Sequence, residues 1–133
     1  MHVKDIKIIT ECSYCVPSDT CAKAAGLMQA MNAEVVPIVK SDTDKTVIGI
    51  VSDRDLCMAI VAANLHPSAV PLECCMNATL SPVKISERIE RALYHLCNPE
   101  IQHLIVVHDD GGLCGIVSLA DLLFQRTYAG TQK

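Results

Sequence analysis

The sequence predicts a small α/β fold made of two similar halves, each ordered (β)–α–β–β–α, packed together in a pseudo-twofold arrangement. The first observation is a repeated motif: Gly-Ile-Val-Ser-x-x-Asp-Leu occurs at residues 49–56 and again at 115–122, with its glycines 66 positions apart. A repeat of this length indicates two supersecondary units that each need the other to bury an apolar face. The second observation is that half of the 133 residues are apolar, which is enough for one compact core.

The elements of the first half follow from its turn residues and its apolar periodicity. A helix is predicted after the capping residues at 18–20, because an apolar stripe at helical spacing follows them and ends near Asn32. The stripe consists of Cys21, Ala24, Ala25, Met28 and Met31. The other predicted elements are an irregular or extended entry at 4–16, strands at 35–39 and 46–51, and a helix from Ser52 to about Ala63.

The second half repeats these elements in the same order. Cys74-Cys75-Met76 take the place of residues 5–7, and Ser86-Glu87 precede a helix. The apolar positions of that helix are Ile89, Ala92, Leu93 and Leu96. The elements that follow are a strand at 104–107, a tight turn at 109–112, a strand at 113–117 and a last helix from Asp121. The predicted domain bounds are 3–65 for the first repeat, 66–71 for a linker restricted by two prolines, and 72–126 for the second repeat.

Composition and charge exclude several classes of function. The net charge of −4 and the absence of Trp argue against a nucleic-acid partner, which needs a basic face or a stacking platform. The longest apolar stretch, 56–63, is too short to span a bilayer, and the first residues contain no apolar signal core. We therefore expect a cytoplasmic protein with neither a membrane nor a nucleic-acid partner. The sequence shows no triad-like His, Asp and Ser set and no glycine-rich phosphate loop, so it does not predict an enzyme.

The eight cysteines allow two interpretations. In a reduced cytoplasm most of them are expected to act as small buried hydrophobes. The exception is the Cys-x-x-Cys motif of Cys12 and Cys15, whose spacing also suits a zinc site or a redox pair. A zinc site would need two further ligands, and the neighbours Cys74 and Cys75 are awkward partners for tetrahedral binding. The metal or redox interpretation therefore stays open as an alternative.

Motifs in both halves resemble the cystathionine-β-synthase (CBS) domain. In the first half these are Asp5-Ile6, Val16-Pro17-x-Asp19-Thr20, Ala24-Ala25-x-Leu27-Met28, Val36-Pro37-Ile38-Val39 and 49–56. In the second half they are Met76, Val83-x-Ile85, 104–107 and 115–122. The resemblance covers about residues 3–125, with departures at Lys7, where the family usually has Met, and at Ile105, which stands in the place of Pro37. The chain thus resembles a stand-alone tandem CBS pair, or Bateman module.

The Ser-x-x-Asp turn of each motif has a structural and a functional interpretation. Ser52 with Asp55, and Ser118 with Asp121, have the spacing of a capping box at the start of a helix. The same groups also suit a nucleoside, because a carboxylate accepts both hydroxyls of a ribose and the serine and helix start offer donors to phosphate. The resemblance implies binding, since paired CBS repeats commonly hold adenosine-containing ligands with these positions. Capping and binding are compatible.

Six further residues are candidates for the ligand site. Arg54 lies inside the first motif and could neutralise a phosphate, although an arginine at a helix start is also a common surface residue. His103 could donate to a ligand or simply pack at the start of its strand. The resemblance implies backbone contacts to the purine from Thr10 and Thr79, and it adds Val36 and Pro37 to the candidate ligand-binding residues.

The resemblance therefore implies a non-catalytic sensor that binds an adenosine-containing ligand of the AMP, ADP, ATP, NAD or S-adenosylmethionine class in the cleft between its repeats. It needs no other cofactor, and it signals to a regulated protein or through its own homodimer. Candidate dimer faces are Leu56-Cys57-x-Ala59-Ile60 and Leu122-Leu123-x-x-x-Thr127. The alternatives are a metal- or redox-responsive adaptor that uses Cys12 and Cys15, and a structural dimerisation module with empty pockets.

Overall fold

The computed structural model describes residues 2–5, 13–78, 82–95 and 103–118, and it shows the predicted mixed α/β fold. The chain divides into two compact units. The first unit is Ser13–Leu80, and the second unit combines Met1–Cys12 with Ser81–Lys133. The bounds 3–65, 66–71 and 72–126 refer to the repeat in the sequence and stay a prediction.

The first unit is built on the helix and hairpin that the sequence predicts. Helix α1 (Cys21–Met31) begins after Thr20, whose side chain accepts a hydrogen bond from the Lys23 amide, and it ends at Asn32 in the left-handed conformation. Strands β1 (Val35–Val39) and β2 (Val47–Ser52) pair antiparallel. The stripe on α1 is narrower than predicted: Cys21, Ala24 and Met28 are buried, whereas Ala25 and Met31 are exposed.

The second helix of the first unit differs from its prediction. Helix α2 comprises only Asp53–Leu56, and the next residues, Cys57–Val61, form a π-helical turn in which the Ala62 amide donates to the Cys57 carbonyl. Apolar spacing predicted a continuous helix to Ala63, because periodicity shows which face is buried and not the hydrogen-bond register. Two 3₁₀ turns follow, at Pro67–Ala69 and Leu72–Cys74.

Within the described part of the chain, the second unit contains a three-stranded sheet, whereas the sheet of the first unit has two strands. Strand β3 (Val83–Lys84) pairs parallel with β4 (His103–Val107), and β4 pairs antiparallel with β5 (Leu113–Ser118). Helix α3 (Ile89–His95) packs on this sheet through Ile89 and Ala92, which share a core with Val83, Leu104, Val106 and Val117. The last predicted helix, from Asp121, lies outside the described residues, as does Leu96.

Each compact unit includes the segment that leads into the other repeat. In the first unit the Leu72 amide donates to the Asp19 carbonyl at 2.8 Å, and in the second unit the Val3 amide donates to the Glu87 carbonyl at the same distance. Farther along the first unit, Asn77 and Ile50 exchange two backbone hydrogen bonds of 2.8 and 3.0 Å. This pairing satisfies backbone groups of β2 that β1 does not reach. Residues 70–77 are called the lead-in segment below.

The glycine of the first motif is explained by this pairing. A Cβ atom added at Gly49 would lie 3.1 Å from the Met76 sulfur and 3.4 Å from the Asn77 carbonyl oxygen. Glycine at this position therefore allows the lead-in segment to pack directly against β2.

Substitution of two glycines is expected to change stability in opposite directions. Gly49→Val should lower the free energy of unfolding by about 1–3 kcal/mol, because the added methyl groups overpack the contact with Met76. Gly26→Ala should raise it by about 0.5–1 kcal/mol, because Gly26 is exposed inside α1 and an added Cβ meets nothing within 4 Å. Urea denaturation measures both variants. A Gly49→Val protein as stable as the parent would show that the lead-in segment does not require glycine at 49.

Candidate functional site

The turn between β2 and α2 holds the predicted capping box. The Asp55 amide donates to Ser52 Oγ at 3.1 Å, and the Ser52 amide donates to Asp55 Oδ2 at 2.9 Å. The structural interpretation of Ser52 and Asp55 is therefore confirmed. These two bonds fix the carboxylate of Asp55, which is half-buried, at the end of a strand and the start of a helix.

Other groups around this turn are also held in place by backbone contacts. The Asp53 amide donates to the Glu34 carbonyl at 2.9 Å, which ties the start of α2 to the residue before β1. Asp53 Oδ1 accepts from the Arg54 amide at 2.8 Å. The side chains of Asp53 and Arg54 are exposed, so the turn presents a guanidinium group one residue before the fixed carboxylate of Asp55.

Val36 and Pro37 lie on β1 next to this turn. In the hairpin register Val36 faces Val51 and Pro37 faces Ile50, close to the end of β2. The side chain of Val36 is buried in the core of the first unit, and that of Pro37 is also fully buried. Their role in ligand binding stays a prediction, and their observed role is to support the strand that ends at Ser52.

The structure brings together two predicted residues of the second unit. His103 and Ser118 are directly paired in the β4–β5 register, as Val35 and Ser52 are paired in the first hairpin. Both side chains are half-buried. The other predicted residues that complete the two sites, Thr10, Thr79 and Asp121, lie outside the described residues.

Sequence reasoning missed one residue beside the first turn. The negative charge of Asp55 is one of the causes that raise the pKa of Cys75, so the two side chains are close enough to interact electrostatically. Cys75 belongs to the lead-in segment, and its interaction with Asp55 depends on how that segment packs within the first unit. Local sequence patterns carry no signal for this interaction, because the two residues are 20 positions apart in the chain.

Cys15 of the Cys-x-x-Cys motif is part of the hydrophobic core. Its side chain is fully buried, and burial raises the pKa of its thiol to about 11, with Asp19 acting in the same direction and Lys23 opposing it. The thiol is therefore protonated at neutral pH, which does not favour metal binding or nucleophilic attack. Cys12 lies outside the described residues, and within the described ranges no three His, Cys, Asp or Glu side chains are grouped to hold a metal ion.

The raised pKa of Cys15 predicts a loss of stability in alkaline solution. Between pH 9.0, the ordinary value for a thiol, and about 11, the unfolded chain releases a proton that the folded chain retains. The free energy of unfolding should therefore fall as the pH rises, by at most about 1.4 kcal/mol per pH unit from this group. Denaturation at several pH values should show a shallower decline for Cys15→Ala. Equal slopes for the two proteins would contradict the assignment.

Among the described residues, none of the helices combines the length and the apolar character needed to cross a membrane.

The chain belongs to the CBS domain family, whose model matches residues 3–62 and 76–126. The chain is therefore a tandem CBS pair, as the repeated motifs indicated. A protein of Acidianus ambivalens, described as an uncharacterized 17.7 kDa protein in the bps2 3′ region, is 31% identical over 123 residues, which cover 92% of this chain and 72% of that protein.

Two solved structures show the same fold. Hypoxic Response Protein I with two coordinated zinc ions has a TM-score of 0.80 and 22% identity, with 93% of this chain and 98% of that chain covered. CBSX2 of Arabidopsis thaliana in complex with AMP has a TM-score of 0.76 and 22% identity, with 99% and 98% covered. At these identities the likeness concerns the fold, and the zinc ions and the AMP are those of the other two proteins.

Proposed function

We propose that this CBS pair is a non-catalytic regulatory sensor that binds an adenosine-containing ligand at the Ser52–Asp55 turn. The observation that carries the proposal is the fixed Asp55 carboxylate with the exposed Arg54 beside it. The AMP complex of a protein with the same fold supports the ligand class. Occupancy would be signalled to a regulated protein or through a homodimer.

The chemistry of the turn suits a nucleotide. A carboxylate offers two oxygens and about four lone-pair directions, so Asp55 can keep its bond from the Ser52 amide and still accept from the two hydroxyls of a ribose. The phosphate is assigned to Arg54 and not to the helix dipole, because α2 has only four residues.

The ligand class can be tested by thermal unfolding of the purified protein with AMP, ADP, ATP, NAD or S-adenosylmethionine. A ligand at about 100 times its dissociation constant should stabilise the protein by ~2.7 kcal/mol, which is a rise of several degrees in Tm. Adenosine-containing compounds should raise Tm. No shift with all five compounds would contradict the proposal, and a shift with zinc alone would favour a metal-responsive adaptor.

The proposed homodimer would use a surface on the helical segment after α2. Met58, Val61 and Leu65 are exposed there, with 55%, 74% and 51% of their surfaces accessible. Leu56 and Ile60, which the sequence placed in the dimer face, are instead buried within the first unit, because they point into its own core. The face predicted from Leu122 lies outside the described residues.

Val61→Glu is expected to shift the protein from dimer to monomer, because it places a charge in an apolar contact. Light scattering should give twice 14.4 kDa for the parent and 14.4 kDa for the variant. Ala30→Glu, on the exposed face of α1, should leave the dimer intact. A parent protein that is monomeric at micromolar concentrations would contradict the dimer proposal.

A further inference from the structure

Two cysteine thiols of the first unit are in contact although they are distant in the sequence. Cys21 Sγ and Cys75 Sγ lie 3.6 Å apart, and both residues are free thiols. Cys21 is the first residue of α1 and is buried, whereas Cys75 follows the 3₁₀ turn at Leu72–Cys74 and is half-buried. The contact therefore joins the lead-in segment to the start of α1.

The backbone around the two thiols holds them in this arrangement. The Cys21 amide donates to the Val70 carbonyl at 2.9 Å, and the Leu72 amide donates to the Asp19 carbonyl at 2.8 Å. Both hydrogen bonds join the lead-in segment to residues at the start of α1. The sulfur atoms would have to approach from 3.6 Å to about 2.05 Å to form a disulfide bond.

We propose that Cys21 and Cys75 are an oxidisable thiol pair, which low-molecular-weight disulfides convert to an intramolecular bond that locks the lead-in segment onto the start of α1. The second unit lacks this device, because Ile89 occupies the first position of α3 where Cys21 begins α1. A locked lead-in segment can no longer separate from α1 without breaking a covalent bond. This proposal does not depend on the identity of the ligand.

The reaction proceeds by two thiol–disulfide exchanges. Cys75 is the more accessible thiol, and as a thiolate it attacks one sulfur of the small disulfide, forming a mixed disulfide and releasing one small thiolate. The thiolate of Cys21 then attacks the Cys75 sulfur, which breaks the mixed disulfide and releases the second small thiolate. The two protons lost by the cysteines are taken up by these leaving groups. The protein pair is oxidised by two electrons, and the small disulfide is reduced to two thiols.

The surroundings of Cys75 set the rate of the first exchange. Burial raises the pKa of Cys75 to about 12, and the hydrogen bond with Cys21 and the charge of Asp55 act in the same direction. Because the thiolate is the nucleophile, oxidation should be slow at neutral pH and faster as the pH rises. Exposed cysteines such as Cys57 and Cys74 serve as internal references for the reagent.

The test is oxidation of the reduced full-length protein by oxidised glutathione at about pH 9 until the products no longer change, because more thiolate forms there than at neutral pH. Free thiols are then alkylated, and the protein is digested without reduction for mass spectrometry. The expected product is a peptide pair joined through Cys21 and Cys75, with the mass of two hydrogens lost. Its formation should raise Tm by several degrees, and dithiothreitol should reverse the rise.

Three variants separate this bond from other oxidation products. Cys75→Ser and Cys21→Ala should lose both the joined peptide pair and the reversible rise in Tm, whereas Cys57→Ser should keep both. The proposal is overturned if glutathione remains attached to Cys75, if Cys21 joins Cys74 instead, or if the pair is still reduced when the products no longer change. Peptide mapping of the parent protein decides among these outcomes even if a variant at the buried Cys21 does not fold.

Discussion

Asp55→Asn is expected to reduce the affinity for an adenosine ligand by at least about tenfold, which is ~1.4 kcal/mol, while changing Tm little. The amide oxygen of Asn can still accept the bond that Asp55 Oδ2 accepts from the Ser52 amide, so the helix start stays capped. The substitution removes the charge that makes Asp55 a strong acceptor for both ribose hydroxyls. Calorimetric titration of AMP, with Tm measured in parallel, gives both quantities.

Asp53→Asn provides the matched control for this experiment. It removes the same charge two residues away, but the Asp53 side chain is exposed and bonds only to the adjacent Arg54 amide in the described contacts. Its affinity for AMP should stay within about twofold of the parent value. If Asp55→Asn folds and binds AMP as tightly as the parent does, the turn is a helix cap and not a ribose site.

Arg54→Ala should reduce the affinity for AMP and ATP by about tenfold or more and leave the affinity for adenosine unchanged. A charge-assisted contact to phosphate contributes about 1.5–3 kcal/mol, and adenosine has no phosphate to lose. The exposed position of Arg54 means that the variant should unfold at nearly the same Tm as the parent. Calorimetry with the three compounds separates phosphate recognition from nucleoside recognition.

Arg54→Lys retains a charge and should recover part of the affinity, because lysine binds phosphate through a single point of charge. A ligand site at the second copy of the motif would give a different result. If Arg54→Ala binds AMP as tightly as the parent while Asp121→Asn abolishes binding, the working site belongs to the second copy of the motif.

Local sequence patterns predicted most of the elements around the site. Thr20 begins α1 and Asn32 ends it, as the capping residues and apolar spacing indicated. The first strand of the first hairpin has its predicted bounds, and the other three hairpin strands are within one residue of theirs. The Ser52–Asp55 capping box was predicted from the spacing alone, because its two hydrogen bonds join residues only three positions apart.

Long-range packing explains what the sequence did not predict. The lead-in segment packs against the start of α1, so Cys75 contacts Cys21 and feels the charge of Asp55. Such contacts depend on which sheet edge the segment pairs with, and periodicity has no information about that choice. Tertiary packing also determines the buried face of α1, because it leaves Ala25 exposed although its spacing fits the apolar stripe.

Ligand binding at the Ser52–Asp55 turn is tested most directly by calorimetric titration of AMP, ADP, ATP, NAD and S-adenosylmethionine into the unmodified full-length protein. We expect saturable binding of at least one of these ligands, with an affinity that falls at least about tenfold in Asp55→Asn and stays near the parent value in Asp53→Asn. Absence of saturable binding for all five compounds, with a folded protein, would contradict it.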